Sequence, residues 1–333
     1  MTATEPQPGS ATARRWHGQP GRMEVWYATC TEEDGTGWWL HYETVAPGGD
    51  APEPPFSHGW VACFPPHAEP ILERFGPVGA GEPTGGGEVF VEVGECRIDA
   101  VALRGSAGRL GWDLDLAGDA APLYTFPKWA WERELLPGAQ VLDRPAAAIS
   151  GRVSIDGAER DLRATGAGAH IYSHGSAKRW SWLHCDLGGG DTLEVVAAVS
   201  HLPVLERLAP LPFARLRFGS RDRPRDPLAA AIRARCEVAL PTWHLRAGLG
   251  GRRRLRATVE LPRERCVQLE YPNPDGTRAY CVNSERADAR IAVEQRVGGR
   301  WSIDREWRLD ATAHAEVGRT TPWEGIDVSP FAG

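Results

Sequence analysis

The residues best suited to chemistry lie in one run, Trp180-Ser-Trp182-Leu-His184-Cys-Asp186. Alternate side chains of a strand share a face. Trp180, Trp182, His184 and Asp186 therefore point one way, and Ser181, Leu183, Cys185 and Leu187 the other. The second set is small and apolar and suits packing. The first joins two π-faces to an imidazole and a carboxylate. A cavity wall needs that mixture to hold an apolar substrate and move a proton. A plainer arrangement also fits: a Trp pair in a barrel core, with a His–Asp hydrogen bond near the rim.

Two further groups read the same way. Trp39, His41 and Glu43 share a face opposite Trp38, Leu40 and Tyr42, while Glu24 and Trp26 share a face on the preceding strand. A hairpin brings Glu24 or Trp26 near His41 and Glu43, with the register left open. A carboxyl held among apolar groups has a raised pKa and serves as a general acid near neutrality. A salt bridge from Glu24 to Arg22 or Arg179 is the alternative. Tyr172, His174 and His170 share a third face. Tyr172 and His174 are candidate acid–base groups, or else partners of the loop at Gly175. His170 and His174 have the spacing of a helical zinc site, but a strand holds them roughly 13 Å apart, so no metal is expected. The candidate catalytic set is Asp186, His184, Glu24, Tyr172 and His174. The candidate substrate-binding set is Trp180, Trp182, Trp26, Trp39, His41 and Glu43.

The elements that position these groups are strands. Met23–Thr31 and Thr36–Val45 flank an Asp-Gly turn. Strand-like segments follow at His58–Phe64, Glu69–Phe75, Glu88–Val93, Cys96–Leu103 and Arg109–Leu116. Ala148–Ile155, Asp156-Gly157 and Glu159–Thr165 form a further hairpin. A second series starts near Gly166, and its strands run through Arg179–Leu187, Thr192–His201 and on to Trp301–Leu309. Only Pro127–Leu136 and Leu228–Arg235 read as helices, with Trp129, Trp131, Leu135 and Leu136 on one face of the first. Strands at this spacing without intervening helices predict an all-β chain of two barrel or sandwich domains. The expected division is a disordered tail over 1–15, one domain over 16–165 and another over 166–333.

Composition narrows the functions. The chain has 333 residues, a net charge of −6, and 25% charged residues, so a nucleic-acid partner is not expected. The one dense basic run, Arg252-Arg253-Arg254, reads as a solvated turn. Seven scattered cysteines with no CxxC pair fit reduced thiols in the cytoplasm. No signal peptide is expected, and no apolar run reaches the ~18 residues of a transmembrane helix. Peripheral membrane contact stays open. Walker A, G-x-G-x-x-G, G-x-S-x-G and H-E-x-x-H motifs are lacking. Fourteen Trp among 38 Gly and 27 Pro suit turn-rich barrels with aromatic walls.

Three stretches together carry a resemblance. They are Arg22-Met-Glu24-Val-Trp26-Tyr27 with Trp38-Trp-Leu-His-Tyr-Glu43, then Ala169–Asp186, then Ala313-His-Ala-Glu316-Val-Gly318. In this order the sequence resembles the tocopherol cyclase and carotenoid 1,2-hydratase superfamily, which includes AttH-like proteins and lipocalin-like Diels–Alderases. It departs from the pattern at Val25 in place of Gly, at His174-Gly175 in place of Trp-Gly, and at His184 in place of Gln. The resemblance implies two lipocalin-like β-barrel domains with an apolar ligand cavity in or between them. It also implies a cofactor-independent cyclase or hydratase acting on an isoprenoid, polyene or polyketide-derived substrate. A non-catalytic carrier of such a lipid is the alternative reading, and a scaffold with a filled core is a third.

Overall fold

The computed structural model describes residues 11, 14–49, 53–81, 89–200, 209–219 and 221–331. Most of the tail expected over 1–15, with Glu88 and His201, lies outside them. The chain is all-β, in two large antiparallel sheets. In spatial order the first runs Ile71–Gly79, Phe56–Phe64, Gly37–Ala46, Arg22–Glu32, Ala158–Ser173, Gly138–Ile155, Leu110–Ala117, Ala102–Ala107, Cys96–Asp99 and Val89–Val93. The second runs Arg221–Arg223, Leu211–Phe218, Asp191–Val199, Arg179–Gly188, Arg300–Arg319, Arg278–Val297, Arg253–Glu260, Thr242–Gly250 and Arg235–Cys236. Each sheet curls until strands near its two edges touch. That closure leaves few open edges for another chain to pair with.

Two strand boundaries differ from expectation. Ala158–Ser173 is one unbroken strand, so the division expected at 166 falls within it. The chain passes to the second sheet between 173 and 179. Gly166 explains why no turn occurs there. A Cβ at this position would collide with the Thr29 carbonyl of the neighbouring strand, so the glycine serves close strand approach rather than a bend. Conversely, the single strand expected over Cys96–Leu103 is two, Cys96–Asp99 and Ala102–Ala107.

Both helices form, as Lys128–Arg133 and Pro227–Arg233. Asp226 caps the second by accepting from the Ala229 N–H. In the first, Ala130 and Trp131 are buried, whereas Trp129 and Leu135 are exposed. Glu134 turns into the left-handed region and ends the helix after six residues, which leaves too short a span for the four-residue apolar face expected.

Each barrel interior is filled. Trp26, Trp38, Leu40, Tyr42 and Leu114 occupy the first, and Leu183, Cys185, Val195, Trp243 and Leu255 the second. A third cluster draws on both sheets: Val25, Tyr27, Trp39 and Trp60 meet Trp180, Trp182, Leu269 and Tyr271. The strand Arg22–Glu32 is thus buried on both faces, one inside its barrel and one against the other half. The aromatic site lies in this layer between the halves, one of the two places the resemblance allows.

Candidate functional site between the two halves

Register decides which side chains meet. Val25 lies opposite Glu43 and Tyr27 opposite His41, while Glu43 lies opposite His58 and His41 opposite Trp60. Because alternate residues share a face, Tyr27, His41, Glu43, His58 and Trp60 form one surface, which the second half covers. His41 Nε2 lies 3.1 Å from Glu43 Oε2, and His58 Nε2 lies 3.7 Å from the same oxygen. The His41 ring is set among Trp39, Trp60 and Tyr271 with centroids 4.9, 5.3 and 5.5 Å away.

Burial sets the protonation of this group. It raises the pKa of Glu43, opposed by the hydrogen bond and charge of His41. It pushes His58 well below the ordinary histidine range, helped by His41, Arg74 and Arg278. A neutral imidazole therefore faces a carboxyl that holds its proton more tightly than usual. Both ring nitrogens of His58 and Glu43 Oε1 are buried without a hydrogen-bond partner. Such unspent capacity is costly in a closed core and is characteristic of sites that receive a ligand or water.

The second half supplies further carboxylates. Glu194 accepts from Trp182 Nε1 at 2.7 Å and from Gln140 Nε2 at 2.5 Å, and lies 3.0 Å from His184 Nδ1. The two donors share Glu194 Oε1 and His184 meets Oε2, while His184 Nε2 is buried without a hydrogen-bond partner. Gln140, from the first half, also donates to the Tyr27 hydroxyl at 3.0 Å. His184 lies beside His314, ring centroids 5.8 Å apart, and His314 Nδ1 lies 2.6 Å from Glu285. Thr29 of the first half bonds that Glu285 carboxylate and lies 2.7 Å from His314 Nδ1. Glu316, its pKa raised by burial, accepts from Trp180 Nε1 at 2.7 Å. Gly318 makes this possible, since any Cβ there would fall inside the Trp180 ring.

A cavity of about 590 Å³ opens beside this layer, lined by Pro47, Phe56, Asn273, Arg278 and Phe331 among others. Phe331 forms its inner wall. The Phe331 ring sits 4.9 Å edge-on to His58 and 5.5 Å from Phe56. Arg74 lies over it at 4.0 Å and Arg278 at 5.0 Å. Its backbone N–H donates to Glu270. Phe331 and Phe56 both line the cavity and pack against His58.

The candidate residues divide. Trp180, Trp182, His184, Trp39, His41 and Glu43 come together in the layer. Glu24, Trp26 and Tyr172 do not: Glu24 pairs with Thr44 and Tyr172, and Trp26 with Tyr42, so they occupy the opposite face. There Glu24 is bonded by groups other than the expected Arg22 or Arg179. It accepts the backbone N–H groups of Arg15 and Trp16 and bonds His170 Nε2 at 2.8 Å, while His170 stacks on Trp26 at 4.2 Å. With Trp131 over His170, the group seals one end of the first barrel. His174 is exposed in a bend, its N–H donating to Pro137. Asp186 lies at the strand end and accepts from the Gly188 N–H, closing the hairpin turn. Sequence reading missed Tyr27, His58, Trp60, Glu194, Tyr271 and Glu285. His314 and Glu316 carried the resemblance but were given no role. A lone Glu194 within Thr-Leu-Glu-Val-Val, and the alternating His314-x-Glu316-x-Gly318, were the usable signals. Among the described residues, no cluster of three or more His, Cys, Asp or Glu is arranged to hold a metal.

Residues 102–319 match the family model described as tocopherol cyclase-like. The chain belongs to this family. Two uncharacterized proteins from Mycobacterium tuberculosis strains are each 46% identical over 320 residues, covering 95% of this chain and 92% of theirs. Solved structures share the fold at low identity. CghA, determined with Sch210972, superposes with a TM-score of 0.59 at 15% identity and 95% coverage of both chains. A putative AttH from Nitrosomonas europaea gives 0.54 at 13%, covering 90% of this chain and 92% of that one. Kievitone hydratase from Nectria haematococca gives 0.52 at 10%, covering 95% and 93%. No helix among the described residues is long and apolar enough to cross a membrane.

Proposed function

We propose that this family member is a cofactor-independent enzyme that hydrates or cyclises a hydrophobic isoprenoid, polyene or polyketide-derived substrate. The observation that carries the reading is the unspent hydrogen-bonding capacity of His58 and Glu43, buried behind Phe331. Family membership and a hydratase of the same fold support this class of chemistry.

The residues suffice for a closed proton cycle. Glu43, holding its proton through burial, delivers it to an alkene carbon. The carbocation so formed lies among the faces of Trp39 and Trp60, which stabilise positive charge. A water, or a hydroxyl of the substrate itself, then adds to the cation and gives its proton to neutral His58. His58 returns that proton to Glu43 across 3.7 Å. Water gives the hydrated product, and an internal hydroxyl gives a ring. No electrons enter or leave. His184, oriented by Glu194, offers a second unspent nitrogen deeper in the layer. Trp180 and Trp182 wall the substrate.

The test is to incubate the purified protein with prenylated phenols and linear polyenes and read products by mass spectrometry. A product heavier by one water, or an isomer with a new ring, is expected. Native mass spectrometry showing a tightly held, chemically unchanged lipid, with no turnover of any compound, would support the carrier instead.

A further inference from the structure

The outer face of the second sheet is lined with arginines that the core does not require. Arg235, Arg246 and Arg256 lie directly opposite one another across three neighbouring strands, and all three are exposed. Arg290 lies opposite Arg308 on the same face. Like charges in directly opposed positions repel and destabilise a sheet, and no carboxylate hydrogen bond holds Arg235, Arg246 or Arg290 among the described residues, although Arg256 bonds Glu294 and Arg308 bonds Asp310. Glu294, which Arg254 also binds, is set among them, and Glu306 lies on the same face opposite Ala292. The face is basic on a chain whose net charge is −6.

The hairpin that extends this face is apolar at its end. Trp301 and Ile303 lie opposite Arg296 and Glu294 on the outer surface, with Val297 at the turn. Their exposures are 38%, 59% and 62%. Arg254 lies over the Trp301 ring at 4.1 Å, so cation and aromatic are presented together. Aromatic and aliphatic side chains beside arginines suit the boundary between headgroups and acyl chains. A polyanion such as nucleic acid would engage the arginines and leave Ile303 in water.

We infer that this face docks on an anionic bilayer, with Trp301 and Ile303 entering the interface and the arginine rows meeting lipid phosphates. The inference stands on the charge and exposure of this face and is independent of the proposed reaction.

Sedimentation with vesicles tests it. The full chain is expected to bind vesicles of phosphatidylglycerol and phosphatidylcholine, to ignore pure phosphatidylcholine, and to be released by ~1 M salt, where the Debye length falls to about 3 Å. Replacing Arg246 and Arg256 by Gln is expected to weaken binding about 30-fold, two steps of ~1 kcal/mol. Trp301→Ser with Ile303→Ser is expected to weaken it by a similar factor. These side chains are exposed, so circular dichroism should match wild type and the melting temperature should not fall. No binding to anionic vesicles, equal binding to neutral ones, or wild-type binding by both variants would overturn the inference. So would capture of duplex DNA in place of vesicles.

Discussion

His58 lies 3.7 Å from Glu43 across two paired strands, and neither side chain is exposed. Burial moves their pKa values in opposite directions, Glu43 up and His58 well down. The shifts favour the proton on Glu43 and a neutral His58, the order needed for an acid and a base in one pair.

Stability should therefore depend on pH in a way that names His58. Its folded pKa lies below its unfolded value, so the unfolded chain binds more protons as pH falls below ~6.5, and stability drops by up to about 1.4 kcal/mol per pH unit for one proton. Glu43 acts oppositely: its raised pKa adds stability below the ordinary Glu range, which is lost as pH rises through the folded value. Urea denaturation between pH 7 and pH 5 should show a shallower loss in His58→Gln than in wild type. Equal slopes would mean that His58 is not buried neutral.

Gly318→Ala should displace Trp180. The added methyl falls inside the indole ring, and overpacking of this kind costs about 1–3 kcal/mol. The Trp180–Glu316 hydrogen bond should be lost with it. A fall in melting temperature, together with a change in near-ultraviolet circular dichroism, checks both parts.

Two carboxylates of similar sequence appearance should behave differently. Glu194→Ala strips a partner from Trp182, Gln140 and His184 at once, a loss expected to cost about 3–5 kcal/mol. Asp186→Asn alters one exposed turn bond and should stay within ~0.5 kcal/mol of wild type. Denaturation midpoints of the two variants, taken side by side, decide this.

Glu24 should prove to be an anchor. Its carboxylate holds the N–H groups of Arg15 and Trp16, so Glu24→Ala should release that segment. Faster tryptic cleavage at Arg14 or Arg15 with an otherwise resistant core is the expected result. Turnover should survive, because Glu24 faces away from His41.

Much of the fold was legible. Asp-Gly turns, strand spacing and period-two alternation gave the β architecture and the pairing of Trp180 with Trp182 and His184. Alternation also grouped Trp39, His41 and Glu43. It could not say which face works, because Arg22–Glu32 is buried on both sides, one against its barrel and one against the other half. A sequence therefore marks Glu24 and Tyr27 alike as interior. Strand register joins Glu43 to His58, and the packing of one sheet on the other joins Gln140 to Glu194. Asp186 shares parity with His184, yet it falls at the register shift ending its strand, where its side chain closes a turn.

The central claim is that Glu43 and His58 move the proton. The most direct measurement is the initial rate of product formation by wild type, Glu43→Gln and His58→Gln, each shown to be folded. Positioned general acid–base groups contribute about 10²- to 10⁴-fold, so both variants should fall by at least ~100-fold. Rates within a few-fold of wild type in both would contradict the account and leave the shape of the site to do the catalysis.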